Sequence, residues 1–331
     1  VPNFVTMADE RFTPWAALLL PSLRAFHPEA TVWLFDLGAT PSPALARLAA
    51  AHGKTRVVHY PERDWQWPTW IDETDLHFYW PGFSLKDRIK MVSRRLRHRL
   101  LGQRKDSWVL DLDKFVAGRR HGGKVFVQKP HIVRRALEES AELVYIDVDA
   151  LLLGRLDDAL PQDCHAGVTI VAQKDLKIGR DPGCGNPEPY PHFAVNAGVL
   201  FFRRSPEASG FLDAWVEEIE RVRHTLFDQT AVANLLYRHH PDAFQQDSGV
   251  FAVPTAAGPA RVATLPCARF NHYTLRHDQT ALPDDVRIAH FVGSLKHSQH
   301  WAAMERLARS EVHRRQEALA HVLITNGATT C

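Results

Sequence analysis

Leu143-Val144-Tyr145-Ile146-Asp147-Val148-Asp149 is a run of four apolar, strand-favouring residues leading into two carboxylates spaced i, i+2. Such a run reads as a buried parallel strand, and open α/β sheets place their chemistry at the carboxyl ends of these strands. Alternate side chains share a face, so Asp147 and Asp149 are expected to point the same way where the strand ends. Two hard oxygen ligands there suit Mn²⁺ or Mg²⁺. The competing reading of these residues is a strand end followed by a turn with both acids solvated.

Upstream, the chain predicts a strand over residues 2–8, a helix over 13–26 and a strand over 31–35, then a helix over 43–52 and a strand over 56–59. In the first helix Thr13 is the expected cap, Pro14 suits the first turn, and Trp15, Leu18, Leu19 and Phe26 form the apolar face. Gly53 is placed to stop the second. Strand and helix alternating in this way predict a right-handed parallel sheet with a nucleotide site at its carboxyl edge.

The rhythm breaks over 61–82, where Trp65, Trp67, Trp70 and Trp80 mix with Pro61, Pro68 and Pro81. Residues 86–105 are basic and read as helix, with Arg94, Arg95, Arg97, Arg99 and Arg104. A solvated helix face is the plain reading, and contact with a polyanion is the other. Gly118 to Gly123 reads as a loop. Asp111-Leu112-Asp113 repeats the acid spacing, but lacks the flanking helix and strand that would anchor it in a sheet. It is assigned to the insertion.

Downstream, the expectations are a helix over 130–140, a strand over 166–172, a Pro- and Gly-rich loop over 179–191 and a buried strand over 195–202. Ser205-Pro206 opens a helix to about residue 225. Asp228 is the expected cap of the next, and 242–266 reads as short strands and turns. A strand over 286–291 and an amphipathic helix over 300–320 close the chain. With no internal repeat or low-complexity linker, residues 1–331 are expected to form one compact domain with 61–127 an insertion, which the family resemblance given below makes a candidate acceptor-binding region of a single catalytic domain.

The chain has 331 residues, 45% of them hydrophobic and 24% charged, as in an ordinary globular protein with an ample core. A net charge of +2 commits it to no polyanion. Cys164, Cys184, Cys267 and Cys331 are scattered without a Cys-x-x-Cys pair and read as free thiols in a reducing compartment, two long-range disulfides being the alternative. No apolar run reaches membrane-spanning length, since 15–20 is stopped by Pro21, and no leader pattern precedes the first strand. The expected location is the cytoplasm, with peripheral contact at the inner membrane surface as a variant.

His290-Phe291-Val292-Gly293-Ser294-Leu295-Lys296 follows the last strand. An imidazole can complete a manganese site begun by two carboxylates. Gly293 lets backbone N–H groups approach a phosphate, and Lys296 supplies compensating charge.

These stretches, taken with Thr6-Met7-Ala8-Asp9-Glu10-Arg11-Phe12, Lys129-Pro130, Asn196-Ala197-Gly198-Val199-Leu200 and Asp228-Gln229, resemble the retaining glycosyltransferases of the GT-A fold, in particular family 8. The motifs occur in that family's order over most of the chain. The family's Pro-Trp after the lysine is absent, Trp301 being the nearest counterpart. The resemblance implies an α/β fold, a Rossmann-like mixed sheet flanked by helices. It also implies transfer of a sugar from a nucleotide diphosphate sugar to an acceptor hydroxyl with retention at the anomeric carbon. Asp147, Asp149 and His290 would bind Mn²⁺ or Mg²⁺ on the donor diphosphate. Thr6, Ala8, Asp9, Phe12, Lys129, Val148, Gly293 and Lys296 would contact the donor, Phe12 as a stacking surface. Asn196, Asp228 and Gln229 would line the sugar pocket. The acceptor is left open among a saccharide, a lipid-linked sugar and a polyanion held by 86–105.

Three other classes compete. A haloacid-dehalogenase-like phosphohydrolase also follows an apolar strand with Asp-x-Asp, but usually in its first strand. A nucleotidyltransferase would need a Gly-rich first loop, where this chain has Ala8-Asp9-Glu10-Arg11. A non-enzymatic nucleic-acid binder would rest on 86–105 alone.

Overall fold

The computed structural model describes residues 1–73, 112–171, 178–181, 186–191, 194–222, 227–273, 275, 279–291 and 298–327. The basic segment 86–105, Asp111, Cys184, Gly293, Lys296 and Cys331 lie outside them.

The N-terminal half alternates as expected: β1 (Asn3–Ala8), α1 (Thr13–Phe26), β2 (Val32–Asp36), α2 (Pro43–Ala51) and β3 (Thr55–His59). β1 pairs parallel with β2, and β2 with β3. The predicted apolar face of α1 is buried at Trp15, Leu18, Leu19 and Phe26. Its start differs in detail. Asp9 caps a preceding 3₁₀ turn by accepting from the Arg11 N–H, and Phe12 is the residue before the helix, so Thr13 is already helical.

After the short helix α3 (Trp70–Glu73), description resumes with α4 (Leu112–Phe126) and α5 (Lys129–Leu137). The glycines of 118–123 therefore lie in a helix and not in a loop. Each costs about 1 kcal/mol relative to alanine, and tertiary packing outweighs that here. His121 meets the Trp65 ring at 5.8 Å, and Lys124 lies 4.1 Å above the Trp67 ring while pairing with Asp72 at 2.8 Å.

The remaining strands are β4 (Glu142–Ile146), β5 (Ala150–Leu152), β6 (Ala166–Ile170), β7 (Ile178–Asp181), β8 (Asn186–Pro191), β9 (Val195–Arg203), β10 (Gly249–Val253), β11 (Ala260–Pro266) and β12 (Ile288–His290). The main sheet has the order β10-β11-β6-β9-β4-β1-β2-β3. β4 is central, as its sequence predicts, but parallel on one side only: it pairs parallel with β1 and antiparallel with β9. The sheet is thus mixed. β7 and β8 form a two-stranded antiparallel ribbon where a loop was expected, because cross-strand pairing satisfies the backbone that Gly and Pro make look irregular.

The remaining described α-helices are α6 (Pro206–Arg221), α7 (Phe227–His239), α8 (Cys267–Phe270) and α9 (Ser298–Gly327). Asp228 sits inside the first turn of α7 instead of capping it. β4 feeds both sides of the sheet. Leu143 and Tyr145 join a core with Phe202, Phe211 and Trp215, whereas Val144 and Ile146 join one with Phe4, Leu19 and Phe201. Burial on both faces is why the run is continuously apolar.

Candidate active site

β4 ends at Ile146, and the Asp147 N–H donates to the Gly198 carbonyl of β9 at 2.7 Å. The chain then turns through Val148 and Asp149 into β5, with the Ala150 N–H bonded to the Asp147 carbonyl at 3.0 Å. β5 pairs antiparallel with β12, in register His290 with Ala150. The Phe291 N–H donates to the Asp149 carbonyl at 2.9 Å, tying the two segments together at the acid itself. This ladder brings a histidine from late in the chain to the paired acids. His290 Nε2 lies 3.2 Å from Asp149 Oδ1 and 3.7 Å from Asp147 Oδ2. One ligand atom from each of the three lies within 4.8 Å of the others, the one such cluster found among the described residues. Asp149 and His290 are buried, Asp147 less so.

Carboxylate oxygens and an imidazole nitrogen are the donor set that suits Mn²⁺ and tolerates Mg²⁺. Convergent acids around a histidine at the mouth of a cavity therefore fit a divalent cation.

The cavity beside them has a volume of about 520 Å³. Ala8, Asp9, Phe12, Val148 and the paired acids line it from the carboxyl edge of the sheet, and His121 and Phe126 of α4 line it opposite. Four of the residues expected to contact the donor, Ala8, Asp9, Phe12 and Val148, thus line one cavity. Asp9 is engaged by Arg11, whose backbone N–H and Nε each reach its carboxylate at 2.9 Å. Thr6 is fully buried within β1 and is not among the lining residues.

Lys129 is not open to this cavity. Its Nζ lies 2.8 Å from Asp228 Oδ2 and 3.3 Å from Asp147 Oδ1, and it donates to the Ala197 carbonyl at 3.0 Å. Burial works against its charge, but Asp147 and Asp228 reverse that and hold it above its ordinary value. Burial pushes the Asp228 carboxyl up, against the opposing pull of Lys129. Tyr145, also buried, donates its hydroxyl to Asp147 Oδ1 at 2.5 Å. Burial, with Asp147 adding to it, raises this phenol well above its usual value.

Asn196 turns inward to the backbone. Its Oδ1 accepts the Gly198 N–H at 2.9 Å and an Asn271 amide proton at 3.1 Å. Gln229 is half-buried beside Asp228 in α7. Trp301, the nearest counterpart of the family's tryptophan, packs edge-on against Trp15 at 4.8 Å. Asp113 lies on α4.

Three contributors escaped sequence reading. Asn271 bonds His290, Tyr145 bonds Asp147, and Gly198 lies against the His290 ring. Only Tyr145 carried a signal, a phenol in an otherwise aliphatic strand, which needs a polar partner when buried. Cys164 and Cys267 are free and buried, and burial pushes the Cys267 thiol up to about 12, so neither is a ready nucleophile.

No curated protein sequence matches this chain. Among solved structures it is similar to the LgtC galactosyltransferase in complex with donor and acceptor sugar analogues (17% identity, 93% of this chain and 95% of that one, TM-score 0.41). It is also similar to apo mouse xyloside xylosyltransferase 1 (14%, 88% and 97%, TM-score 0.44) and to the apo WbbM bifunctional glycosyltransferase (12%, 96% and 52%, TM-score 0.46). The decisive match is to the nucleotide-diphospho-sugar transferase family, whose profile covers residues 83–300, well over half of the chain, and spans the paired acids and the histidine. With the mixed sheet of the GT-A type, it follows that the chain belongs to the nucleotide-diphospho-sugar transferases and is a glycosyltransferase.

Proposed function

We propose that the protein is a divalent-metal-dependent glycosyltransferase that moves a sugar from a nucleotide diphosphate sugar to an acceptor hydroxyl with retention at the anomeric carbon. The observation that carries this reading is the convergence of Asp147, Asp149 and His290 within 4.8 Å, with both acids lining the 520 Å³ cavity. These three would hold Mn²⁺ or Mg²⁺ against the donor diphosphate, where the ion supplies Lewis-acid stabilisation of charge on the leaving phosphates.

The cavity wall from Ala8 to Phe12 would take the nucleotide, with the Phe12 ring a stacking surface and Asp9 toward the base. Breaking the anomeric C–O bond makes the sugar oxocarbenium-like while negative charge builds on the diphosphate. Asp228 and Gln229 at the start of α7 would face the cationic sugar, and Lys296 after Gly293 would offset charge on the diphosphate. Lys129, which bridges Asp147 and Asp228, would fix both carboxylates in their ionised geometry without touching the donor. Asn196 would shape the sugar pocket through the backbone it holds. In retaining enzymes of this kind the leaving phosphate oxygen takes the acceptor proton on the same face, and no covalent nucleophile is assigned here. The acceptor, whether a saccharide, a lipid-linked sugar or a polyanion, is proposed to meet the 61–127 region.

Among the described residues no helix is long and apolar enough to cross a membrane. The reading is tested by incubating the protein with Mn²⁺ and a panel of nucleotide sugars. A thermal shift and slow hydrolysis with one donor, lost on chelation, are expected. Hydrolysis of simple phosphate monoesters without any donor effect would overturn it.

A further inference from the structure

His290 presents two ring nitrogens to two different surroundings, and the one that carries the proton decides whether the ring can be a ligand. Its Nε2 faces Asp149 and Asp147, whereas its Nδ1 lies 2.9 Å from Asn271 Oδ1. Asn271 is fully buried at the end of α8. The orientation of its amide is fixed by backbone groups. Its Nδ2 sits 3.0 Å from the Asn196 carbonyl, which only accepts. It also sits 3.1 Å from Asn196 Oδ1, which is identified as an acceptor because the Gly198 N–H donates to it at 2.9 Å. The third neighbour, Thr169 Oγ1 at 2.9 Å, spends its own proton on carbonyl oxygens. All three surroundings demand an N–H₂ group, so the oxygen end of Asn271 must be the one that meets His290.

An oxygen that only accepts requires Nδ1–H on the ring. The neutral ring then carries its lone pair on Nε2, aimed at the space bounded by the two carboxylates. The ring is also held flat. A Cβ on Gly198 would lie 2.3 Å from His290 Cε1 and 2.6 Å from Nδ1, so only a glycine at this position lets the imidazole lie there. Backbone bonds fix the two segments relative to each other: His290 N–H donates to the His272 carbonyl at 2.8 Å, and His272 N–H to the Ile288 carbonyl at 2.9 Å.

We propose that Asn271 is the positioning residue of the candidate metal centre, holding His290 in its Nδ1–H tautomer and directing Nε2 to the cation. The consequence for metal binding rests on the glycosyltransferase reading above; the tautomer assignment does not. Outer partners that orient a ligating histidine typically change metal affinity by ~10–100-fold when removed.

The test joins two measurements. Nitrogen-15 NMR of histidine-labelled protein, with the His290 signals assigned by their loss in His290→Gln, should show Nδ1 protonated in the metal-free wild type, whether Nε2 is bare or also donates to Asp149, and Nε2 bare once Mg²⁺ is added. Titration with Mn²⁺ followed by electron paramagnetic resonance should show Asn271→Ala binding the ion ~10–100-fold more weakly than wild type, with Asn271→Gln recovering part of the loss. A bare Nδ1 in the wild type, or Asn271→Ala binding Mn²⁺ as tightly as wild type, overturns the proposal. Should Asn271→Ala fail to fold, the wild-type spectrum still decides. A wild type with the Nδ1–H pattern but no affinity for Mn²⁺ or Mg²⁺ would uphold the tautomer assignment and overturn the metal reading instead.

Discussion

The Lys129 ammonium lies 2.8 Å from the Asp228 carboxylate, with both side chains almost wholly buried, and it spans from there to Asp147. An isolated charge in that position would be costly, so the triad is stable only as a set. Removing the lysine should leave two acids without their counter-charge.

Lys129→Met is therefore expected to lower unfolding stability by about 3–5 kcal/mol. Denaturant unfolding at pH 7 measures this, and a loss below about 1 kcal/mol would show that the acids find another partner. Because the folded-state pKa of Lys129 is raised, its contribution is complete below its unfolded value and fades as pH rises through the folded one. The gap between wild type and variant should accordingly shrink only in strongly alkaline solution.

Asp149→Ala and His290→Ala should each abolish metal-dependent turnover, by at least ~100-fold, while circular dichroism stays that of wild type. Both side chains take part in the cluster on which the proposed chemistry rests. Normal donor turnover in both variants would move the site elsewhere.

Phe12→Ala should weaken binding of the matching nucleoside diphosphate by about 1–3 kcal/mol if the ring stacks on the base. Phe12 lines the cavity but is not part of the acid cluster. Calorimetry with uridine, guanosine and adenosine diphosphates would check this, and an unchanged affinity for every base would place the base away from Phe12.

His27 offers a pH test remote from the site. Burial lowers its pKa to about 4, and its Nε2 accepts the Leu156 N–H at 3.0 Å, a bond that only the neutral ring can make. The unfolded chain binds a proton near pH 6.5, so this stabilisation is whole above that value and is lost as pH falls toward 4. Between those limits the wild-type stability should fall more steeply than that of His27→Gln, by up to one proton, about 1.4 kcal/mol per pH unit. Parallel slopes would refute it.

Gly198→Ala should disturb the histidine first and then the Asn196 carboxamide, whose Oδ1 the added Cβ would meet at 3.0 Å. The same Cβ would collide with the His290 ring, and overpacking of this kind costs about 1–3 kcal/mol. Weaker Mn²⁺ binding by calorimetry, together with a lowered melting temperature, is the expected pair of effects; a variant that binds and melts like wild type would mean that the ring can shift freely.

Much of the architecture was readable because burial leaves a periodic trace. The strand–helix order through β3 and the apolar face of α1 appear where short apolar runs and 3.6-residue spacing put them. The acid pair was legible because it follows a strand whose flanking elements anchor it in the sheet, which Asp111-Leu112-Asp113 lacks. What could not be read were contacts set by topology. Nothing local to Asn271 or Gly198 announces that each will touch His290, since pairings distant in sequence make them neighbours: the His272–His290 backbone bonds for one, the Asp147–Gly198 bond and the β5–β12 ladder for the other. Gly118 and Gly122 misled for the opposite reason: their weak helix preference was overruled by what α4 packs against. Lys129 was expected at the donor, and its sequence context could not reveal that three oxygens already surround its nitrogen.

The ladder joining Leu152 to Ile288 also imposes an order of events on biogenesis. During synthesis, the strands from β1 to β11 leave the ribosome before Ile288–His290 does, so every strand of the main sheet has emerged while the acids still lack their imidazole. Competence to grip an ion is thus deferred until Ile288–His290 has emerged, later than every strand of the main sheet.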